Sequence, residues 1–177
     1  AVEVLESLMR SHPDLNLARR VLAETYYNSG DYRKTVESYN YLIDSLDGKA
    51  KSSDAWLYFA RGASHERLRQ YEKASEDLEQ SIKLQPNNPL VLNYLGYMLV
   101  DRDRDFEHGF NLIAKALVLK PNDGSILDSM GWAWFKKGEY EKAALFLERA
   151  VEVLPSDPTI HMHLGDLYMK TGHAQTS

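Results

Sequence analysis

Glycine recurs along this chain at an almost constant interval, at Gly62, Gly96, Gly131 and Gly165. The successive steps are 34, 35 and 34 residues, and the local sequences are alike: ARGAS, YLGYM, SMGWA and HLGDL. An interval near 34 residues is typical of arrays in which each structural unit is a pair of helices. Such arrays offer a long surface to a partner and have no built-in catalytic cleft. The spacing therefore predicts an all-α solenoid with a binding role.

Residues 124–157 form one complete unit when Gly131 is placed at position 8. Large residues then occupy positions 7, 11, 17 and 24, small residues occupy 8, 20 and 27, and a proline occupies 32: Met130, Trp134, Tyr140, Leu147, then Gly131, Ala143, Ala150, then Pro155. Positions 4, 7, 8 and 11 share one face of a first helix, and 20, 24 and 27 share one face of a second. Small residues at 8 and 20 let the two helices approach closely. Gly138 suits the end of the first helix, and Pro155 stops the second.

This pattern resembles the tetratricopeptide repeat (TPR). The resemblance implies a right-handed α-α superhelix in one domain over residues 1–177, with ten helices. Its predicted parts are a half repeat, four repeats and a half repeat: 1–15, 16–54, 55–88, 89–123, 124–157 and 158–177. An ordinary helical bundle is the alternative, but a bundle has no reason to keep one spacing.

Two predicted repeats depart from the pattern. Residues 89–123 carry one extra residue, which we place in the turn DRDRD at 101–105. Residues 16–54 have Thr35 and Leu42 where alanines are expected, and a polar loop at 48–54.

Composition narrows the classes of partner and cofactor. The chain has 44% apolar residues and a formal net charge of -5, with no basic block that could neutralise phosphates, so we expect no nucleic acid. There is no cysteine, which excludes disulfides and thiolate-bound metals. No stretch is long and apolar enough to span a membrane. We expect no cofactor, and a protein or peptide as the partner.

The motifs that suggest chemistry fail on spacing. Asp101, Asp103 and Asp105 mimic the start of a calcium loop, but the sixth and twelfth positions lack the glycine and glutamate that such a loop needs. His161 and His163 are two residues apart on a predicted helix, so their side chains diverge and hold no metal. We expect His161, at the large-residue position 4, to be a packed core histidine. Because no nucleophile motif or phosphate-binding loop is present, the sequence predicts a protein that is not an enzyme.

The resemblance also implies which residues face a partner. In TPR arrays the first helix of each pair lines the concave surface, with exposed residues at positions 2, 5, 9, 12 and 13. Carried over, the groove includes Arg20, Glu24, Tyr27, Phe59, Glu66, Asn93, Tyr97, Asp128, Trp132 and Phe135. Tyr97 and Trp132 share position 9 and should form an aromatic stripe, of the kind that anchors recognition surfaces. Packing against the next repeat is the alternative role for both residues, and it is favoured for Trp56 and Phe135.

Some TPR domains grip the C-terminal carboxylate of a partner with basic and amide side chains. Only Arg20 and Asn93 fit that arrangement here, so we expect extended or helical partner segments instead.

The two ends predict a second possible role. The last helix carries Ile160, Leu164, Leu167 and Tyr168 without a partner helix, and the first exposes Leu5 and Leu8. Because solenoid ends need polar caps, we expect continuation of the chain or self-association there. The alternative function is thus a structural module that assembles a larger envelope complex through its ends.

Residues 92–166 carry a more specific resemblance. The phrases LNYLGYMLVDR, DSMGWAWF and HLGD occur in this order. They resemble a group of bacterial TPR proteins of the cell envelope, some of which are adaptors that bring substrates to a protease or assemble envelope machinery. The resemblance implies a periplasmic or outer-membrane-associated location, with the cytoplasm as the alternative.

Overall fold

The computed structural model describes residues 2–12 and 15–172, which form ten α-helices and no β-strand. The all-α fold predicted from the repeat spacing is therefore confirmed. Residues 1, 13–14 and 173–177 lie outside the described residues, and so do the parts of the two predicted half repeats that fall on them. The chain divides into two compact units, residues 1–86 and 87–177, which we call unit one and unit two.

Unit one contains one single helix followed by two helix pairs. Its helices are α1 (Val2–Ser11), α2 (Asn16–Asn28), α3 (Tyr32–Asp44), α4 (Ala55–Arg67) and α5 (Tyr71–Leu84). The segment predicted as a polar loop ends in a short 3-10 helix, Ser52–Asp54. Short turns join α2 to α3 and α4 to α5, so each pair is antiparallel, and we call its members the first and second helix.

The core of unit one forms where α2, α3 and α4 meet. Its buried members are Ala23, Tyr39, Leu42, Leu57 and Ala60. Leu42 is buried although the repeat pattern expects a small residue there. Thr35, the other departure, is also fully buried, and its hydroxyl donates to the backbone oxygen of Asp31. The weaker repeat thus keeps the helix pair with larger side chains at the contact.

A buried ion pair joins the two helices of the second pair. The guanidinium of Arg61 donates to both carboxylate oxygens of Asp77, at 2.6 and 2.8 Å, and also to the side-chain oxygen of Asn40 at 2.9 Å. His65 lies beside them and its Nδ1 is 2.7 Å from Oε1 of Gln70. Burial lowers the pKa of His65, so its neutral form is favoured in the folded protein.

Unit two contains two helix pairs followed by a single helix. Its helices are α6 (Pro89–Asp101), α7 (Phe106–Leu119), α8 (Gly124–Lys136), α9 (Tyr140–Val153) and α10 (Pro158–Thr171). The turn 102–105 between α6 and α7 is one residue longer than the turn 137–139 between α8 and α9. This turn therefore holds the extra residue of the repeat, as predicted.

The small residues at positions 8 and 20 bring paired helices into backbone contact. A Cβ placed on Gly96 would lie 2.8 Å from the backbone oxygen of Gly109, on the partner helix α7. A Cβ on Gly131 would lie 2.6 Å from Cγ of Leu147 on α9. Ala143, the position-20 residue of that pair, is completely buried. The spacing argument thus identified real close contacts between helices.

Helix α10 packs differently from the prediction. Ile160 and Leu167 were expected to be exposed, but they are 2% and 1% exposed because α8 and α9 cover them. The apolar residues that α10 does expose are Met162 and Met169, at 55% and 72%. On α1, Leu8 is exposed and Leu5 is half-buried. Self-association through the ends stays a prediction.

Candidate functional site

A hollow of about 300 Å³ opens between the first helices of unit one. Residues of α2 and α4 line it, together with Tyr39 of α3. Its lining consists of four aromatic side chains, two alanines, one amide and one carboxylate: Tyr27, Tyr39, Trp56, Phe59, Ala60, Ala63, Asn28 and Glu24. Three of the predicted groove residues, Glu24, Tyr27 and Phe59, therefore lie around one hollow.

Trp56 and Phe59 form the wall of this hollow on α4. Their ring centroids are 5.2 Å apart, with an angle of 37° between the planes. Trp56 is 42% exposed, whereas Phe59 is only 8% exposed. The expectation that Phe59 is exposed and Trp56 packed is wrong, because the two residues lie one turn apart and the larger ring covers the smaller one.

The polar edge of the hollow is acidic. Glu24 is half-exposed, and its Oε1 lies 3.9 Å from Nε of Arg20, which lies one turn earlier on α2. Burial, together with the negative charge of Glu24, raises the pKa of Tyr39 to about 12. Tyr39 therefore keeps its phenolic hydrogen at neutral pH. Tyr27 packs edge-on against Tyr32, with centroids 5.5 Å apart.

Glu66 lies on the same first helix as Trp56 but does not line the hollow. It is half-buried, and its Oε2 is 3.8 Å from Nε of Arg67. The structure therefore separates this predicted groove residue from the other three of unit one that surround the hollow.

In unit two, three aromatic rings form a continuous stack. The ring of Trp132 is stacked with the ring of His163, at 4.2 Å between centroids, and with the ring of Phe135, at 4.9 Å. Trp132 and Phe135 are partly exposed, and His163 is 1% exposed. Tyr97 also contacts this stack, with its ring centroid 6.0 Å from that of His163. Tyr97 and Trp132 thus meet through the histidine ring.

Asp128 fixes the orientation of that histidine. Nδ1 of His163 is 2.8 Å from Oδ1 of Asp128, and both side chains are buried. Because a carboxylate only accepts hydrogen bonds, Nδ1 of His163 carries the hydrogen that joins the two side chains. The hydroxyl of Tyr97 lies 3.5 Å from Nε2 and makes a long contact with it. Three helices, α6, α8 and α10, are thereby joined by polar contacts.

The three aspartates that mimic a calcium loop have three separate roles. Asp101 accepts a hydrogen bond from Nε1 of Trp132 at 3.2 Å, and Asp103 pairs with Lys136 at 2.7 Å. Asp105 accepts from the backbone N–H of His108 and caps α7. Two of these carboxylates therefore bind side chains of α8, and the third caps α7.

The role of His163 was not predicted from the sequence, and the predicted position of His161 is wrong. His161 was expected in the core, but it is exposed and its Nε2 lies 2.8 Å from the backbone oxygen of Pro155. Position 4 packs against the second helix of its own repeat, and no second helix follows α10 among the described residues. Asp128 was expected to be exposed, but it is buried because His163 covers it. The signal available in the sequence was a histidine at position 6 of the last unit, His163, and an aspartate at position 5 of the preceding repeat, Asp128.

Asn93, another predicted groove residue, carries an unused acceptor. Its Oδ1 is buried and no residue of the described chain donates to it. Leaving a buried amide oxygen without a donor costs about 1–3 kcal/mol.

The described ranges contain no group of three or more histidines, aspartates or glutamates arranged to hold a metal ion. None of the helices in the same ranges is both long and apolar enough to cross a membrane.

Comparison with known proteins identifies the repeats. Residues 55–88 match the family described as tetratricopeptide repeat, and residues 131–172 match the family described as TPR repeat. The chain contains tetratricopeptide repeats. Such repeats generally mediate interactions between proteins. The fold class predicted from the glycine spacing, a TPR solenoid, is likewise confirmed by solved structures.

A curated relative is the TPR repeat-containing protein PA4667 of Pseudomonas aeruginosa, which is 34% identical over 94% of this chain. The chain spans only 27% of the length of that relative. Among solved structures, a tetratricopeptide repeat protein from Parabacteroides merdae has a TM-score of 0.80 over 97% of this chain and 66% of its own, at 18% identity. YrrB, described as a TPR protein with an unusual peptide-binding site, has a TM-score of 0.73 over 93% of this chain and 81% of its own, at 16% identity.

Proposed function

We propose that this chain is a non-enzymatic scaffold or adaptor that binds segments of partner proteins along the faces of its first helices. The observation that supports this most directly is the aromatic hollow of unit one, between α2 and α4. Seven of its eight lining residues belong to the two helices α2 and α4, and a site on rigid elements loses little entropy through ordering during binding. Rings with polar edges are the usual anchors of such surfaces.

The first helices of unit two add a second suitable surface. Tyr97, Trp132 and Phe135 are partly exposed rings, held in place by His163 and Asp101. Together they provide aromatic contact for an extended or helical segment. That YrrB is described as having a peptide-binding site makes a peptide a reasonable first ligand to test.

The proposal is tested with randomised peptides displayed on phage and selected on the immobilised chain. The strongest binders are synthesised and measured by calorimetry against Trp56→Ala and Tyr97→Ala. Removing an anchor ring weakens binding by about 1–3 kcal/mol. We expect a loss of this size for one or both variants, with an unchanged helical circular dichroism spectrum.

The matched control is Leu145→Ala. Leu145 is 70% exposed and lies on α9, a second helix, so it should not affect binding. If the binders respond to Leu145→Ala and to neither first-helix variant, the proposed surface is the wrong one. If no peptide binds at all, the proposal of segment binding fails.

Self-association is a second candidate, favoured by the exposed Met162 and Met169 on α10. Replacing both with lysine should convert an oligomer to a monomer in light scattering. A wild-type chain that is monomeric at all concentrations removes this candidate.

The location proposed from the resemblance of residues 92–166 is the periplasm or the outer membrane of a bacterium. Fractionation of the full-length protein in its native cell tests this, and recovery in the cytoplasm contradicts it.

A further inference from the structure

We propose that the unit-one hollow receives a single cationic side chain, a lysine or an arginine, from the bound segment of a partner protein. This inference rests on the proposed function, since it names the chemistry that one part of the first-helix surface recognises. It is argued from the charges, rings and acceptors that line the hollow, all of which belong to α2, α3 and α4.

The first argument is charge. Among the described residues that line the hollow, Glu24 is a carboxylate and none is a lysine or an arginine. The charges of Glu24 and Arg20 both reach Tyr39, since the carboxylate raises the pKa of its hydroxyl and the guanidinium lowers it. A cation that takes the place of Arg20 therefore pairs with a carboxylate of the lining, whereas an acidic side chain is repelled by it.

The second argument is the number of aromatic rings. Tyr27, Tyr39, Trp56 and Phe59 all line the same small volume. The face of an aromatic ring attracts a cation, and tryptophan does so most strongly. Several rings around one cavity, together with a carboxylate, form the arrangement that recognises ammonium groups in aromatic cages. Trp56, 42% exposed, has ring surface still available for this contact.

The third argument is size and hydrogen bonding. A volume of about 300 Å³ is at the lower end of ligand pockets, which suits one side chain better than a packed helix. The side-chain oxygens of Glu24 and Asn28 can accept hydrogen bonds from an ammonium or guanidinium group. A leucine in the same place would cover these acceptors without pairing them, and unpaired polar groups oppose binding.

The ion pair between Glu24 and Arg20 does not prevent a cation of the partner from binding Glu24. Arg20 is 3.9 Å from Glu24, and each side chain is 48% exposed. Exposed pairs of this kind on one helix contribute little to stability. An incoming cation that also contacts the rings replaces Arg20 at small cost, and Arg20 then returns to solvent.

The experiment uses the selected peptides described above. Each lysine or arginine of a binder is replaced by norleucine, which keeps an apolar stem and removes the charge. Affinities are measured against the wild type, Glu24→Gln, Trp56→Leu and the control Glu72→Gln. Glu72 is an exposed glutamate on the second helix α5 and does not line the hollow, so its variant makes the same charge change away from the first helices.

We expect one basic residue of the peptide to be decisive. Its replacement should weaken binding to the wild type about tenfold, the size of a desolvated cation–ring contact with a nearby carboxylate. That loss should shrink in Glu24→Gln and in Trp56→Leu, and it should be unchanged in Glu72→Gln, which is the signature of direct coupling. Higher salt should weaken the wild-type complex more than the Glu24→Gln complex.

Two outcomes overturn the inference while leaving the proposed function intact. In one, binders lose affinity in Trp56→Leu but tolerate norleucine at every basic position, which means that the hollow takes an apolar side chain. In the other, the binders respond to Tyr97→Ala and ignore all unit-one variants. Absence of any binder affected by a first-helix variant overturns the proposed function itself, and the inference with it.

Discussion

Replacing Gly96 with alanine is the sharpest test of the helix pairing in unit two. The added Cβ would lie 2.7 Å from Cγ1 of Ile113 and 2.8 Å from the backbone oxygen of Gly109. Ile113 could change its side-chain conformation, but a backbone carbonyl cannot rotate away. Helices α6 and α7 must therefore move apart to admit one methyl group.

The cost follows from two opposing effects. Overpacking a core costs about 1–3 kcal/mol, and a clash with backbone belongs at the upper end of that range. Alanine gains about 1 kcal/mol over glycine within a helix, which offsets part of the cost. The expected loss in free energy of unfolding is therefore about 2 kcal/mol, or roughly 4–8 °C in melting temperature for a chain of this size.

Gly165→Ala is the matched control. Gly165 occupies the same repeat position, but a Cβ there meets nothing within 4 Å. Only the helix-propensity gain remains, so this variant should stabilise α10 by about 1 kcal/mol. The stability of Gly96→Ala is measured by urea unfolding followed by circular dichroism. The stability of α10 in Gly165→Ala is measured by amide hydrogen exchange. If Gly96→Ala is as stable as the wild type, or if both variants lose stability equally, the pairing of α6 with α7 through position 8 is wrong.

Three further changes test other contacts. Ala143→Leu places bulk at a fully buried helix contact and should cost about 1–3 kcal/mol in urea unfolding; a neutral effect would contradict the pairing of α8 with α9. His163→Phe keeps a ring beside Trp132 but removes the hydrogen bond to Asp128, so hydrogen exchange in α10 should reveal a loss of about 1–3 kcal/mol. Because burial lowers the pKa of His65, the unfolded chain takes up that proton first as the pH falls below 6.5. Stability should therefore decrease below pH 6.5, and His65→Gln should decrease less.

The predictions for His163 and His65 can each be contradicted by one result. Unchanged exchange in α10 of His163→Phe would mean that the pair with Asp128 does not hold that helix. Equal pH dependence of the wild type and His65→Gln would mean that another group causes the acid sensitivity.

The repeat architecture was predictable because its signals are local and periodic. The glycine spacing identified the tight contact at Gly96 and Gly131, and the one long interval located the extra residue in the turn 102–105. Positions that require a small side chain or a turn leave a mark in the sequence that does not depend on distant residues.

The details of the surfaces were less predictable because they depend on neighbours. Repeat position alone gave Phe59 and Asp128 as exposed, but Trp56 covers the first and His163 the second. His163 itself has no counterpart in the repeat pattern. Its role appears only when α10 is placed against α8, which is a contact between residues 35 positions apart.

The central claim, that partners bind the first-helix faces, is tested most directly by the three tryptophan indoles. Trp56 and Trp132 lie on those faces, whereas Trp134 packs edge-on against Phe110 of α7, with Lys142 of α9 over its ring at 4.4 Å. Nitrogen-15 NMR of the indole N–H groups follows all three while a selected peptide or a native partner is added. We predict that the resonance of Trp56, Trp132 or both shifts with saturation and that Trp134 stays in place. A titration that moves Trp134 alone would show that the binding surface lies on the other side of the helices and would contradict the account.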